Sequence, residues 1–150
     1  MDIKSFNHKI DEVVKFHEVD LMGICNNAVY FNYFEDARVK YLQDLKKKYK
    51  LKEIMEGNSF FIMAHNECDY KFPAHFDDEL EVYTRISEIR NSSFIFEHLV
   101  VNKKSLQKIA KGYGVLVHID LKTKKSILLP NKFYEAVKKF EKGVEINKDS

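Results

Sequence analysis

One stretch of the chain collects the residue types needed for acyl chemistry: Asp20-Leu21-Met22-Gly23-Ile24-Cys25-Asn26-Asn27-Ala28-Val29-Tyr30. A carboxylate, Asp20, stands among apolar neighbours (Val19, Leu21, Met22, Ile24), and a helix pattern begins seven or eight residues later. The start of a helix offers backbone N–H groups without intrahelical partners and a partial positive charge. Polarised N–H donors stabilise an oxyanion, and a nearby carboxylate activates water or attacks directly. Taken by itself Asp20 also reads as a turn or capping residue, the commoner role of Asp in a loop. Cys25 reads as a small packing residue, since nothing near it in sequence would lower its pKa.

Other chemistries lack their parts. There is no phosphate-binding Gly-x-x-x-x-Gly-Lys loop and no Gly-x-Ser-x-Gly elbow. Gly112-Tyr113-Gly114 has Val117 where a dinucleotide site needs its third glycine. The six histidines (8, 17, 65, 75, 98 and 118) never fall at metal-ligand spacing on a helix, so no metal and no bound cofactor is expected. Lysines and arginines number 25 against 23 acids, a net charge of +2, which argues against a nucleic-acid footprint. Hydrophobic residues make up 45%, too many for disorder. The longest uncharged run, residues 21–34, is too short and too polar to span a bilayer. The N-terminal residues lack a signal-type apolar core, and Cys25 and Cys68 lack redox spacing; both point to a cytoplasmic protein with free thiols.

The elements that position this segment follow from pattern. A strand is expected over His8–Glu18, then a loop over Asp20–Asn26, then a helix from Ala28 to about Leu45 capped by Asn26 or Asn27. Asp36 with Lys40 and Glu35 with Arg38 are helix pairs of favourable spacing. Val29, Tyr30, Phe31, Tyr33, Phe34 and Ala37 surround that helix, which implies burial on most sides. Lys46-Lys47-Lys48 reads as its solvated end. Strands follow over Phe60–Tyr70, Leu80–Ser87, Phe94–Val101 and Ile109–Ile119, with turns at Asn91-Ser92-Ser93 and Asn102–Ser105 and a short last strand at Ser126–Leu129. Asn131 would cap a closing surface helix with Phe133, Val137 and Phe140 on one stripe. One helix followed by a block of strands predicts an α+β fold with an antiparallel sheet, in a single domain over residues 1–150.

The motif Asp20-x-x-Gly23-x-x-Asn26-Asn27-x-x-Tyr30, with Tyr33-Phe34-Glu35-x-Ala37-Arg38 after it, resembles the signature of hotdog-fold acyl-CoA thioesterases of the 4-hydroxybenzoyl-CoA thioesterase-like group. The similarity continues through Cys68-Asp69-Tyr70-Lys71-Phe72-Pro73-Ala74, Asp78-Glu79-Leu80-Glu81-Val82, Asn91-Ser92-Ser93-Phe94 and Ala110-x-Gly112-x-Gly114-Val115-Leu116-Val117, roughly Lys9 to Pro130. The resemblance implies a long central helix wrapped by a curved antiparallel sheet, acyl-CoA as substrate, and assembly as a homodimer or homotetramer. It implies Asp20 as nucleophile or general base and the backbone N–H at Asn27 as the group polarising the thioester carbonyl. Glu35 is the second carboxylate candidate, with pairing to Arg38 as its other reading. Arg90, Ser92, Ser93, Lys103 and Lys104 lie at hairpin ends that the resemblance places near the CoA nucleotide; each also reads as a surface turn residue. Many relatives carry a His where this chain has Ile24, and others where it has Asn27, so a mechanism assisted by His is not implied. The remaining alternatives are a hotdog that binds acyl-CoA without turnover, or a thioesterase acting on an acyl carrier protein.

Overall fold

A computed structural model describes residues 2–52 and 57–148. In chain order the elements are β1 (His8–Val13), α1 (Val29–Tyr49), β2 (Ser59–Tyr70), β3 (Glu79–Arg90), β4 (Ser93–Asn102), β5 (Lys108–Asp120), α2 (Asn131–Phe140) and β6 (Glu145–Asn147). Five strands order as β1-β3-β4-β5-β2, and β6 adds to β3 outside that path. This is the expected α+β architecture of a long helix on a mainly antiparallel sheet. The chain folds as two compact units, Met1–Tyr41 with Glu67–Arg85 and Glu97–Tyr113, and Leu42–Asn66 with Ile86–Phe96 and Gly114–Ser150.

The first unit holds the proposed chemistry. β1 pairs antiparallel with β3 from His8↔Thr84 to Val13↔Glu79. The start of α1 lays Tyr30, Tyr33, Phe34 and Ala37 into a core completed by Leu80, Val82, Val100, Ile109 and Ala110. Their spacing of three and four is that of one broad stripe, and Asn32, Glu35, Asp36, Val39 and Lys40 stay exposed. The helix is therefore buried on one face within this chain, narrower than its aromatic content implied. Phe34 stacks on the fully buried His98 ring at 4.6 Å. β5 runs close beside it at Gly112, where a Cβ would lie 2.5 Å from both the Glu67 carbonyl and the Phe34 ring.

In the second unit Phe61, Phe94 and Phe133 pack edge to face or tilted at 4.9–5.7 Å. The Glu141 carboxylate accepts from the Ile86 N–H at 3.1 Å, and β6 pairs in parallel with Glu88–Arg90.

Several boundaries differ from the sequence expectation. The first strand stops at Val13, because Phe16–Glu18 turns into a short 3-10 helix. α1 continues through the lysines to Tyr49 and closes with Lys50 in the left-handed region (φ 54°) and the Leu51 N–H on the Lys46 carbonyl at 3.0 Å. Ser126–Leu129 forms no strand; its ladder contact is one bridge, Ile119↔Ser126. Asn131 does not cap α2. It is the first helical residue, and the Pro130 carbonyl receives the Phe133 and Tyr134 N–H groups. β6 was absent from the expectation, since three residues carry too little pattern.

Gly112 is the position where the helix and β5 leave no room for a side chain. Gly112→Ala is expected to destabilise by about 1–3 kcal/mol, the usual range for overpacking, read as a lowered midpoint in denaturant. A midpoint equal to the parent's would show that Phe34 has room to move.

Candidate active site

The segment 19–25 folds back on itself. Val19 bridges to Cys25, and the Asp20 N–H reaches the Ile24 carbonyl at 2.9 Å. Its second arm is fixed to the chain after β2: the Cys25 N–H bonds the Ala74 carbonyl at 2.8 Å and Ile24 bridges to His75. At the tip, Gly23 takes a left-handed φ of 75°, and its N–H closes the turn on the Asp20 carbonyl at 3.0 Å. The Asp20 carboxylate is oriented by this turn. Its Oδ1 accepts the Met22 N–H at 2.9 Å and the Ile24 N–H at 3.2 Å. Oδ2 accepts nothing among the described residues. Asp20 is thus both the turn residue and a carboxylate with one uncommitted oxygen.

The start of α1 is held separately. Asn26 Oδ1 accepts the Ala28 N–H at 3.0 Å, and the Asn26 carbonyl accepts the Val29 N–H at 3.0 Å. Of the two expected caps, Asn26 fills the role. The Asn27 carbonyl accepts the Tyr70 O–H at 2.8 Å. The Asn27 N–H has no acceptor among the described residues.

Asp20 and Asn27 line one cleft of about 450 Å³. Ile24, Cys25, Asn26 and Tyr30 share its walls with Asp20 and Asn27, and Tyr70, Lys71, Phe72 and Pro73 close the other side. The Lys71 and Phe72 N–H groups both bond the Ile109 carbonyl, at 2.8 and 3.1 Å, which pins that side to β5. The aromatic wall is continuous, with Tyr30 at 5.4 Å from Tyr70 and 5.9 Å from Tyr33. Burial pushes the Tyr30 phenol well above its ordinary pKa, so it stays neutral as donor or acceptor. Burial also raises the Cys25 thiol, which keeps it protonated and unsuited to attack.

The remaining candidates lie outside this lining. Glu35 is exposed on α1 and acts electrostatically on Arg38, which is 7% exposed. Lys103 and Lys104, in the β4–β5 turn, pair with Asp11 and Glu79, each at 3.7 Å. Arg90 belongs to the second unit and donates to Glu88 at 2.9 Å. Ser92 gives its carbonyl to the His118 N–H at 2.7 Å, and Ser93 opens β4. Two residues of the site escaped the sequence reading. Tyr70 meets Asn27 from 43 residues away, and Glu18 bonds beneath the loop. No local spacing signals either.

A sequence model of the Thioesterase-like superfamily matches residues 14–137. The chain belongs to that superfamily, with the hotdog fold, and is a thioester hydrolase. It is 30% identical to a thioesterase of Thermus thermophilus whose crystal structure is complexed with coenzyme A and Zn, with a TM-score of 0.75 over 93% of this chain and 97% of that one. It is 24% identical to the long-chain acyl-CoA thioesterase FadM of Escherichia coli, over 86% of this chain and 96% of that protein. The acyl-CoA thioesterase YbgC of Haemophilus influenzae is 26% identical over 78% of this chain and 84% of its own length. No helix among the described residues is long and apolar enough to cross a membrane.

One carboxyl near the loop titrates close to neutrality. Burial and the neighbouring Asp36 carboxyl push Glu12 up to about 7 from its ordinary 4.5. The folded protein therefore keeps a proton that the unfolded chain gives up near pH 4.5. The stability this group contributes is present below that pH, falls as pH rises toward about 7, and is gone above it. Glu12→Gln is expected to raise the melting temperature at pH 8 and to leave it unchanged at pH 4. Equal melting temperatures at both pH values would contradict the shift.

Proposed function

We propose that the protein hydrolyses an acyl-CoA thioester to a free acid and CoA at the Asp20–Asn27 cleft. One observation carries this reading: among the described residues, a carboxylate with an oxygen that accepts nothing and an N–H at the approach to α1 with no acceptor belong to residues lining the same cleft. The thioester carbonyl oxygen takes the Asn27 N–H, whose polarity is reinforced by the start of α1. Asp20 then acts in one of two ways. As general base, Oδ2 takes a proton from water while the water oxygen bonds the carbonyl carbon, and the C–S bond breaks to release the thiol. As nucleophile, Oδ2 attacks that carbon, expels CoA thiolate and leaves an acyl anhydride that water opens. Acyl-CoA as the substrate is supported by the coenzyme A held in the Thermus relative and by the activities of FadM and YbgC.

The same reading includes a homodimer or homotetramer in the cytoplasm. β2 ends the sheet with a 12-residue edge, and long unpaired edges invite a second strand. Among the described residues the cleft lining holds one cation, Lys71, and in an oligomer the basic or polar Arg90, Ser92, Ser93, Lys103 and Lys104 are the candidates to meet the CoA phosphates. The thiols of Cys25 and Cys68 are both free, as a reducing compartment keeps them.

Purified protein is expected to release thiol from acyl-CoA, with Asp20→Asn lowering kcat by about 10²–10⁴-fold at unchanged melting temperature. Glu35→Gln is expected to stay within a few-fold of the parent. Wild-type turnover by Asp20→Asn would remove Asp20 from the reaction, and collapse of Glu35→Gln alone would transfer the role to the helix carboxylate.

A further inference from the structure

Glu18 is a carboxylate at 9% exposure with no ion pair among the described residues. Burying a charge without a cation is costly unless hydrogen bonds meet it. Glu18 meets that condition with donors from two places. Its Oε1 accepts the Tyr33 O–H at 2.9 Å and the Lys15 N–H at 2.8 Å. Its own carbonyl accepts the Asn26 N–H at 2.8 Å. Tyr33 is 1% exposed on the buried stripe of α1, and its oxygen also lies 3.9 Å from Cys25 Sγ, in the wall of the cleft.

These bonds converge on the two reacting groups. Glu18 precedes Asp20 by two residues, and Asn26, bonded to Glu18, immediately precedes Asn27. Tyr33 fixes the same Glu18 to α1, six residues beyond Asn27. The loop's first arm, its second arm and the helix are therefore tied at one residue, the second arm through the Glu18 carbonyl and the helix through its carboxylate. Exposed loops wander unless tied, and a reacting pair displaced by about 1 Å loses about 10²-fold in rate. Each end of the loop has other contacts, and Val19 packs against the same core, but among the described residues Glu18 is the hydrogen-bonded link from the Asp20 side of the loop to the α1 side chains.

The geometry points to Glu18 and Tyr33 as a coupled positioning pair that sets the Asp20 carboxylate against the Asn27 N–H; this rests on the reading that those two groups perform the hydrolysis. Neither member belongs to the cleft lining. Tyr33→Phe keeps the ring and removes the O–H. It is expected to lower kcat by about 10–100-fold with KM within about two-fold, and to speed hydrogen exchange at the Asn26 amide. Glu18→Ala is expected to lose at least as much kcat, and Glu18→Gln, which keeps an acceptor oxygen, to recover part of it. The double variant Glu18→Ala/Tyr33→Phe is expected to be no slower than Glu18→Ala alone, because one bond is lost only once. Rates are read well below each variant's melting temperature, so that a purely structural role would move the melting temperature and not kcat. Folded Tyr33→Phe and Glu18→Gln with parental kcat would overturn the proposal, as would losses that add in the double variant. The exchange measurement needs no turnover. Parental exchange at Asn26 in Tyr33→Phe overturns the tether by itself, whereas normal turnover by Asp20→Asn overturns the catalytic reading and leaves the tether to be judged by exchange.

Discussion

An α-helix begins with N–H groups that no residue of the helix can accept, and this site is organised around how they are disposed of. Asn26 takes two of them, the Ala28 N–H through its side chain and the Val29 N–H through its carbonyl. The Asn27 N–H, two residues ahead of α1, has no acceptor among the described residues, and Asn27 lines the same cleft as Asp20. A leftover donor at a helix start would ordinarily be satisfied by water. Here its peptide plane is shared with the Asn26 carbonyl, which accepts the Val29 N–H at 3.0 Å, so the plane cannot turn away without breaking that bond. The group proposed to polarise the carbonyl is thus a backbone amide whose direction is set by the first turn of α1, while Tyr70 holds the following peptide through the Asn27 carbonyl. That arrangement tolerates any side chain at position 27.

The depth of α1 against the sheet decides whether this works. Phe34 lies against Gly112 with no space for a methyl group between them, and on its other side the ring stacks flat on His98 at 5° between planes. Aromatic rings supply large buried area with few torsions to freeze, so a helix start built from Tyr30, Tyr33 and Phe34 is both well anchored and stiff. The phenol oxygens are then spent on the site: Tyr33 of α1 on Glu18, and Tyr70 of β2, edge to face with Tyr30, on Asn27. The high aromatic content of the chain therefore serves packing and hydrogen bonding with the same residues.

What the sequence revealed follows the range of the interactions involved. The Asp20–Gly23 turn, the Asn26 cap and the alternation of β3 are set by neighbours within a few residues, and these were legible as a loop, a helix start and a strand. The lone pairing of Ser126 and the three-residue β6 depend on partners far away, and their local composition gives no hint of either. Tyr70 and Glu18 were missed for the same reason. Each looks ordinary in its own segment and acquires a role only from a residue brought to it by the fold. Val29 and Phe31 misled in the opposite direction: apolar residues around the whole helix implied full enclosure, whereas both end up half-buried within this chain.

Glu18 and Asp20 show why residue type alone does not assign a role. Two carboxylates stand two positions apart in one loop, and their surroundings divide the work. Glu18 is shut in with a phenol and an amide on Oε1, so any movement of it must break bonds to two elements at once. Asp20 is exposed and bound through Oδ1 by two amides of its own turn. Those amides fix where the carboxylate points and leave the other oxygen without a donor among the described residues. Each acid takes two donors on one oxygen, so exposure divides them: Glu18 is buried outside the cleft lining, and Asp20 is exposed on it. Under the proposed reading one acid holds the backbone and the next reacts, and the short 3-10 turn at Phe16–Glu18 buries the first before the second emerges.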